Sequence, residues 1–161
     1  MSLHLIIQFL GVWSLIGASL FCVFVLFAFR SGLVYTARNE DGLLKDRIPL
    51  GGYLVMALFL LTVVAFIVIA DCLGLAKNGI SIGAVNLFIL NYCLYIILFL
   101  FDTLFIDGFV LGTWQPKFLK LSEEIGGESM RKHMMKSIPI GAGFGILITF
   151  LATLIAPILG C

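Results

Sequence analysis

Four long, mainly apolar runs, at roughly 5–29, 48–70, 80–114 and 138–159, constrain this chain more than any other feature. A bilayer core about 30 Å thick is crossed by about 20 helical residues, and each run reaches that length. Within hydrocarbon every backbone N–H and C=O needs an internal partner, so each run is expected to be a helix. A membrane barrel would instead alternate polar and apolar residues over about 10 positions, and no such alternation is visible. The expected fold class is therefore an all-α membrane protein, a four-transmembrane-helix bundle in one domain over residues 1–161.

Composition supports lipid as the solvent. Hydrophobic residues make up 61% of the chain and charged residues 12%, against about 25% charged in soluble domains. The formal net charge of +1 gives no electrostatic case for nucleic-acid binding. The first run has no Lys or Arg in front of it and is longer than a signal-peptide core of about 7–15 residues. It is read as a retained helix.

The basic residues predict orientation. Loop 30–47 holds Arg30, Arg38, Lys45 and Arg47, and loop 115–137 holds Lys117, Lys120, Arg131, Lys132 and Lys136. Four plus five makes nine of the ten, and Lys77 is the tenth. Lys and Arg concentrate on the cytoplasmic side, so both loops are expected inside and both termini outside. The stretch 122–136, "SEEIGGESMRKHMMK", is expected to be a solvated connector, with a short basic helix as the alternative. "RIPLGG" at 47–52 and "SIPIGAG" at 137–143 each follow a basic loop, with proline placed to suit a first helical turn. This echo suggests two related helical hairpins.

Helices in lipid associate through small residues that allow close approach. Gly141, Gly145, Thr149 and Thr153 recur every four residues, and Gly108 and Gly112 do so on the third run. These faces are expected to pack helices within one chain or between copies. Trp114, Tyr53 and Tyr35 suit the membrane interface.

The third run is the anomaly. Its 35 residues would be about 52 Å long as a straight α-helix, and it contains "FDTLFID" at 101–107. If the span covers 81–101, Asp102 lies at the cytoplasmic edge and can pair with Arg30 and Arg47. If it covers 94–114, both aspartates are in the membrane, where one at the centre costs about 2.5–3.5 kcal/mol. A third solution bends the helix near Gly108. Intramembrane carboxylates commonly mark ion or proton pathways, so Asp102, Asp107 and Asn91 are the candidate ion or proton site. Asn91 stands three turns from Asp102 on one face, and interhelical hydrogen bonding is its alternative role. Asp71 is expected to pair with Lys77 and is given no chemistry.

Cys22, Cys72, Cys93 and Cys161 contain no Cys-x-x-Cys pair, which argues against a redox enzyme built on that motif. Free thiols are the default reading, with Cys22 and Cys93 as packing residues, although Cys72 and Cys161 fall on the same outer face and a disulfide between them is open. His4 and His133 lie on opposite sides of the membrane. No metal-ligand spacing, nucleophile with its base, or phosphate loop is present. No catalytic residue, metal or cofactor is expected.

At "FDTLFIDGFVLGTWQPKF", 101–118, the chain resembles a group of uncharacterised bacterial four-span membrane proteins. They pair a Phe-Asp and a second Asp late in helix 3 with Trp-x-Pro-x-Phe. Here those residues are Phe101, Asp102, Asp107, Trp114, Pro116 and Phe118. The resemblance covers about a ninth of the chain plus the four-span plan. It implies a bacterial inner-membrane location. The functional expectation is a small oligomeric cation or proton channel or carrier using Asp102 and Asp107. The alternative is a non-enzymatic assembly subunit whose basic loops bind a membrane partner or anionic lipid.

Overall fold

In the computed structural model, which describes residues 2–30, 50–114 and 128–161, four helices run antiparallel in succession. They are α1 (Leu3–Arg30), α2 (Leu50–Ala70), α3 (Ala84–Leu100) and α4 (Glu128–Ile158). Each carries a span long and apolar enough to cross a membrane, with mean hydropathy between 2.2 and 2.7. The described residues contain no strand. The all-α four-helix reading holds.

Two helices change their winding. α2 continues as a π-helix over Asp71–Leu75 and a 3-10 turn over Ala76–Asn78. α3 continues as a π-helix over Phe101–Trp114. A π-helix bonds i to i+5 and so winds more residues into each turn than an α-helix. The long third run thus gains less length than its residue count implies. Helix begins at Ala84, after the extended residue Gly83, so 80–83 stand outside it.

α4 differs from expectation at its start. Residues 128–136 are helical and lead without a break into the apolar span. Pro139 therefore lies inside the helix rather than in its first turn. It has no N–H to offer Met135, one lost bond that the rest of this 31-residue helix tolerates. Pro49, its counterpart in the sequence echo, lies outside the described residues.

The core gathers on α3 and α4, which pack together, with α2 against α4 and α1 against α3. Leu87, Leu90, Leu94 and Leu98 line the inner face of α3, and Ile148, Ala152 and Ala156 that of α4. Close approach rests on glycine: a Cβ on Gly145 would run into the ring of Tyr95, and one on Gly141 into that of Phe99. Tyr95 Oη also donates to the Gly141 carbonyl at 2.8 Å. Thr149 is fully buried and back-bonds to Gly145 O at 2.7 Å. Gly108 and Gly112 are half-buried within the π-helical part of the third span. Trp114 and Tyr53 are exposed, while Tyr35 lies outside the described residues.

Candidate functional site

The end of the bundle formed by the α2–α3 connection and the C-terminus holds a sealed polar cluster. Asp71 opens the π-helical turn of the second span and is 2% exposed. Asn91, in the middle of α3, is fully buried. Its Nδ2 donates to Asp71 Oδ2 at 2.9 Å and, at 3.3 Å, to Thr153 Oγ1 on α4. One amide thus ties three helices together. Asp71 Oδ1 and Asn91 Oδ1 are buried without a hydrogen-bond partner, which is rare for native polar groups. On the α4 side, Pro157 cannot donate to the Thr153 carbonyl, so backbone polarity is added beside the cluster.

Two glycine stops build this end. At Gly79 (φ 69°), the N–H bonds Ala76 O at 2.9 Å and the Ile80 N–H bonds Leu75 O at 3.0 Å. At Gly160 (φ 82°), the N–H bonds Pro157 O at 3.1 Å and the Cys161 N–H bonds Ala156 O at 3.0 Å. Both are Schellman motifs, which need a left-handed residue that glycine adopts without strain. The first turns the chain back over Asp71. The second delivers Cys161 to Cys72, and the two form a disulfide with their Cα atoms 4.6 Å apart. The default reading of free thiols is corrected for this pair. Cys22 and Cys93 are free, and Cys93 is exposed rather than packed inside.

A cavity of about 300 Å³ lies against this cluster, with Asp71 in its wall. The expected partner of Asp71, Lys77, is instead exposed on the 3-10 turn. The carboxylate is directed to Asn91 because the helical hairpin puts positions 71 and 91 at equal distances from its midpoint at 81.

Asp102 and Asp107 occupy a separate place. Asp102 stands eleven residues beyond Asn91, about 16 Å along the helix axis at 1.5 Å per residue. Both aspartates are half-buried and both belong to the π-helix. In an α-helix, residues five apart face different ways, whereas i to i+5 bonding stacks them on adjacent turns of one side. The unusual winding therefore brings the pair to one face. Phe101, Phe105, Phe109 and Trp114 stack in a ladder along the same segment, with ring centroids 5.1, 5.7 and 6.4 Å apart. α1 and α4 pack against this segment. Arg30 closes α1, its side chain is not among those described, and Arg47 lies outside the described residues. The expected pairing of Asp102 with these arginines falls there.

Among the described residues, no three His, Cys, Asp or Glu side chains are grouped to hold a metal ion. No protein-family model matches the chain, and no curated protein or solved structure matches it either. What the site can do follows from its own geometry. Every acidic residue within the four spans, namely Asp71, Asp102 and Asp107, sits in a π-helical segment. Single-turn π segments, like the one that Asp71 opens, occur frequently at functional sites.

Proposed function

We propose that this chain is a small multi-pass membrane protein that binds and moves a cation or a proton, using carboxylates held inside its spans. Asp71 serves one end and the Asp102–Asp107 pair the other. One observation carries the reading. Asp71 is a 2% exposed carboxylate in a span of mean hydropathy 2.7, and one of its oxygens has no partner. A carboxylate kept only for packing would have both oxygens satisfied, because an unpaired buried acceptor costs about 1–3 kcal/mol.

The orientation follows from two independent features. Nine of ten basic residues fall in the stretches 30–47 and 115–137, which join the spans at their other ends, away from Asp71, and such a concentration marks the cytoplasmic side. The Cys72–Cys161 disulfide favours an oxidising compartment for the other end. Loops 30–47 and 115–137 inside, with both termini outside, satisfies both. With the resemblance at 101–118, this supports a bacterial inner-membrane protein. A bundle of only four spans encloses little space for a continuous path, so a homo-oligomer is the working unit.

The test is flux in proteoliposomes loaded with a pH- or sodium-sensitive dye. Wild type should dissipate an imposed gradient, and Asp71→Asn and Asp102→Asn should each lower the rate at least tenfold. A second reading, an assembly subunit, is favoured by the way Asn91 bridges α2 and α4. It predicts no flux from wild type and a changed assembly state in Asp71→Asn.

A further inference from the structure

The cavity beside Asp71 has a composition that selects among cations. Its wall includes Leu75, Ile80, Ile82 and Leu87, with Ser81 and Asp71 as polar members. Among the described residues, Asp71 is the one charged side chain on it. The Asp71 carboxylate is nine-tenths or more buried, and its Oδ1 is buried without a hydrogen-bond partner. A bare divalent ion fits poorly: calcium takes six to eight oxygens and magnesium keeps an octahedral shell. Among the described residues of the wall, side chains supply one carboxylate and one hydroxyl, so most of such a shell would have to come from backbone carbonyls and water. The volume, about 300 Å³, reaches the lower end of small-molecule sites, which combine apolar walls with a few placed polar groups.

We propose that this cavity binds an ammonium group carrying short apolar substituents, with the Asp71 carboxylate as its counter-charge and the aliphatic walls around its carbons. The proposal rests on the reading of Asp71 as a cation site and names the class of cation. A primary ammonium brings three N–H donors. One meets the unpartnered Asp71 oxygen as a charge-assisted bond, and Ser81 Oγ offers a second acceptor. The carbons then contact Leu75, Ile80, Ile82 and Leu87, which would give a hydrated inorganic ion nothing. Cys161 also lies on the wall, so the disulfide to Cys72 holds one side of the site in place. The same chemistry is carried by free alkylamines and by the phosphatidylethanolamine headgroup.

The experiment is calorimetric titration of n-butylammonium into the disulfide-intact protein in phosphatidylglycerol nanodiscs, with empty discs subtracted. Saturable binding at one site per chain is expected, with none for n-butanol. Asp71→Asn should weaken it at least tenfold while keeping the disulfide. Ile82→Trp, on the connection outside the helices, fills the cavity while leaving the Asp71 carboxylate in the chain and should abolish binding even if Asp71→Asn fails to fold. No saturable binding by wild type, equal binding of n-butanol, or unchanged binding by Ile82→Trp overturns the proposal. Repeating the titration in discs containing phosphatidylethanolamine separates the two sources: loss of butylammonium binding identifies the lipid headgroup, and retained binding identifies a soluble amine. Asp71-dependent proton or sodium flux without butylammonium binding sinks this inference and leaves the broader reading standing. Butylammonium binding without any flux does the reverse.

Discussion

Asn91 is the residue on which the buried cluster depends. It is the donor both to Asp71 and to Thr153. Asn91→Leu should therefore cost more than the loss of a single hydrogen bond, because it leaves the Asp71 carboxylate buried with neither oxygen paired. We expect about 1–3 kcal/mol, read as an earlier midpoint in denaturing-detergent titration. Thr153→Val removes one acceptor from the same amide and should cost nearer 0.6 kcal/mol, the average for hydrogen bonds between helices in a membrane. An Asn91→Leu protein no weaker than Thr153→Val would contradict the assignment. The sequence made part of this visible. Asn91 stood out as a polar residue amid apolar ones, and interhelical bonding was a natural role for it. Asp71 did not stand out, since a carboxylate at the end of an apolar run reads as interfacial. The missing signal was hairpin register, which pairs positions summing to about 162 across the turn at 79–83.

At the scale of elements, the helix ends and the changes of winding carry the site. "KNG" at 77–79 ends the second span because glycine takes the left-handed stop, and "LGC" at 159–161 repeats that chemistry at the end of α4. The disulfide was one of two open readings, since spacing alone does not say that two helix ends meet. Its presence predicts a thiol count. A maleimide–polyethylene glycol reagent should add two labels per unreduced, denatured chain, at Cys22 and Cys93, and four after reduction. Four labels without reductant would remove the clamp from the Asp71 end. The close approach of α3 and α4 is equally specific. Gly145→Leu must displace the Tyr95 ring, and overpacking of this kind costs about 1–3 kcal/mol. The same substitution at Gly143, where a Cβ would meet nothing within 4 Å, should be nearly neutral, and equal losses at both positions would refute the packing. The π-helical winding was not legible. Residue composition hardly distinguishes i+4 from i+5 bonding, so the length of the third run looked like a problem of tilt or bend.

For the whole molecule, four spans were readable because hydrocarbon leaves the backbone few choices. The arrangement of those spans was less so, because apolar helices in lipid are sorted by small residues and isolated polar contacts, which are sparse in the sequence. Orientation is testable directly. Cysteines placed at 38 and 120 in a chain lacking Cys22 and Cys93 should react with an impermeant thiol reagent only after cells are opened, and one at 79 should react in intact cells. The reverse pattern would overturn both the charge argument and the compartment inferred for the disulfide. The central claim is that the carboxylate sealed between α2, α3 and α4 handles a cation. Gradient dissipation in proteoliposomes, comparing wild type with Asp71→Asn preparations of equal disulfide content, tests it most directly. The account predicts flux from wild type and at least a tenfold loss in the variant, whereas equal rates, or no flux from either, would contradict it.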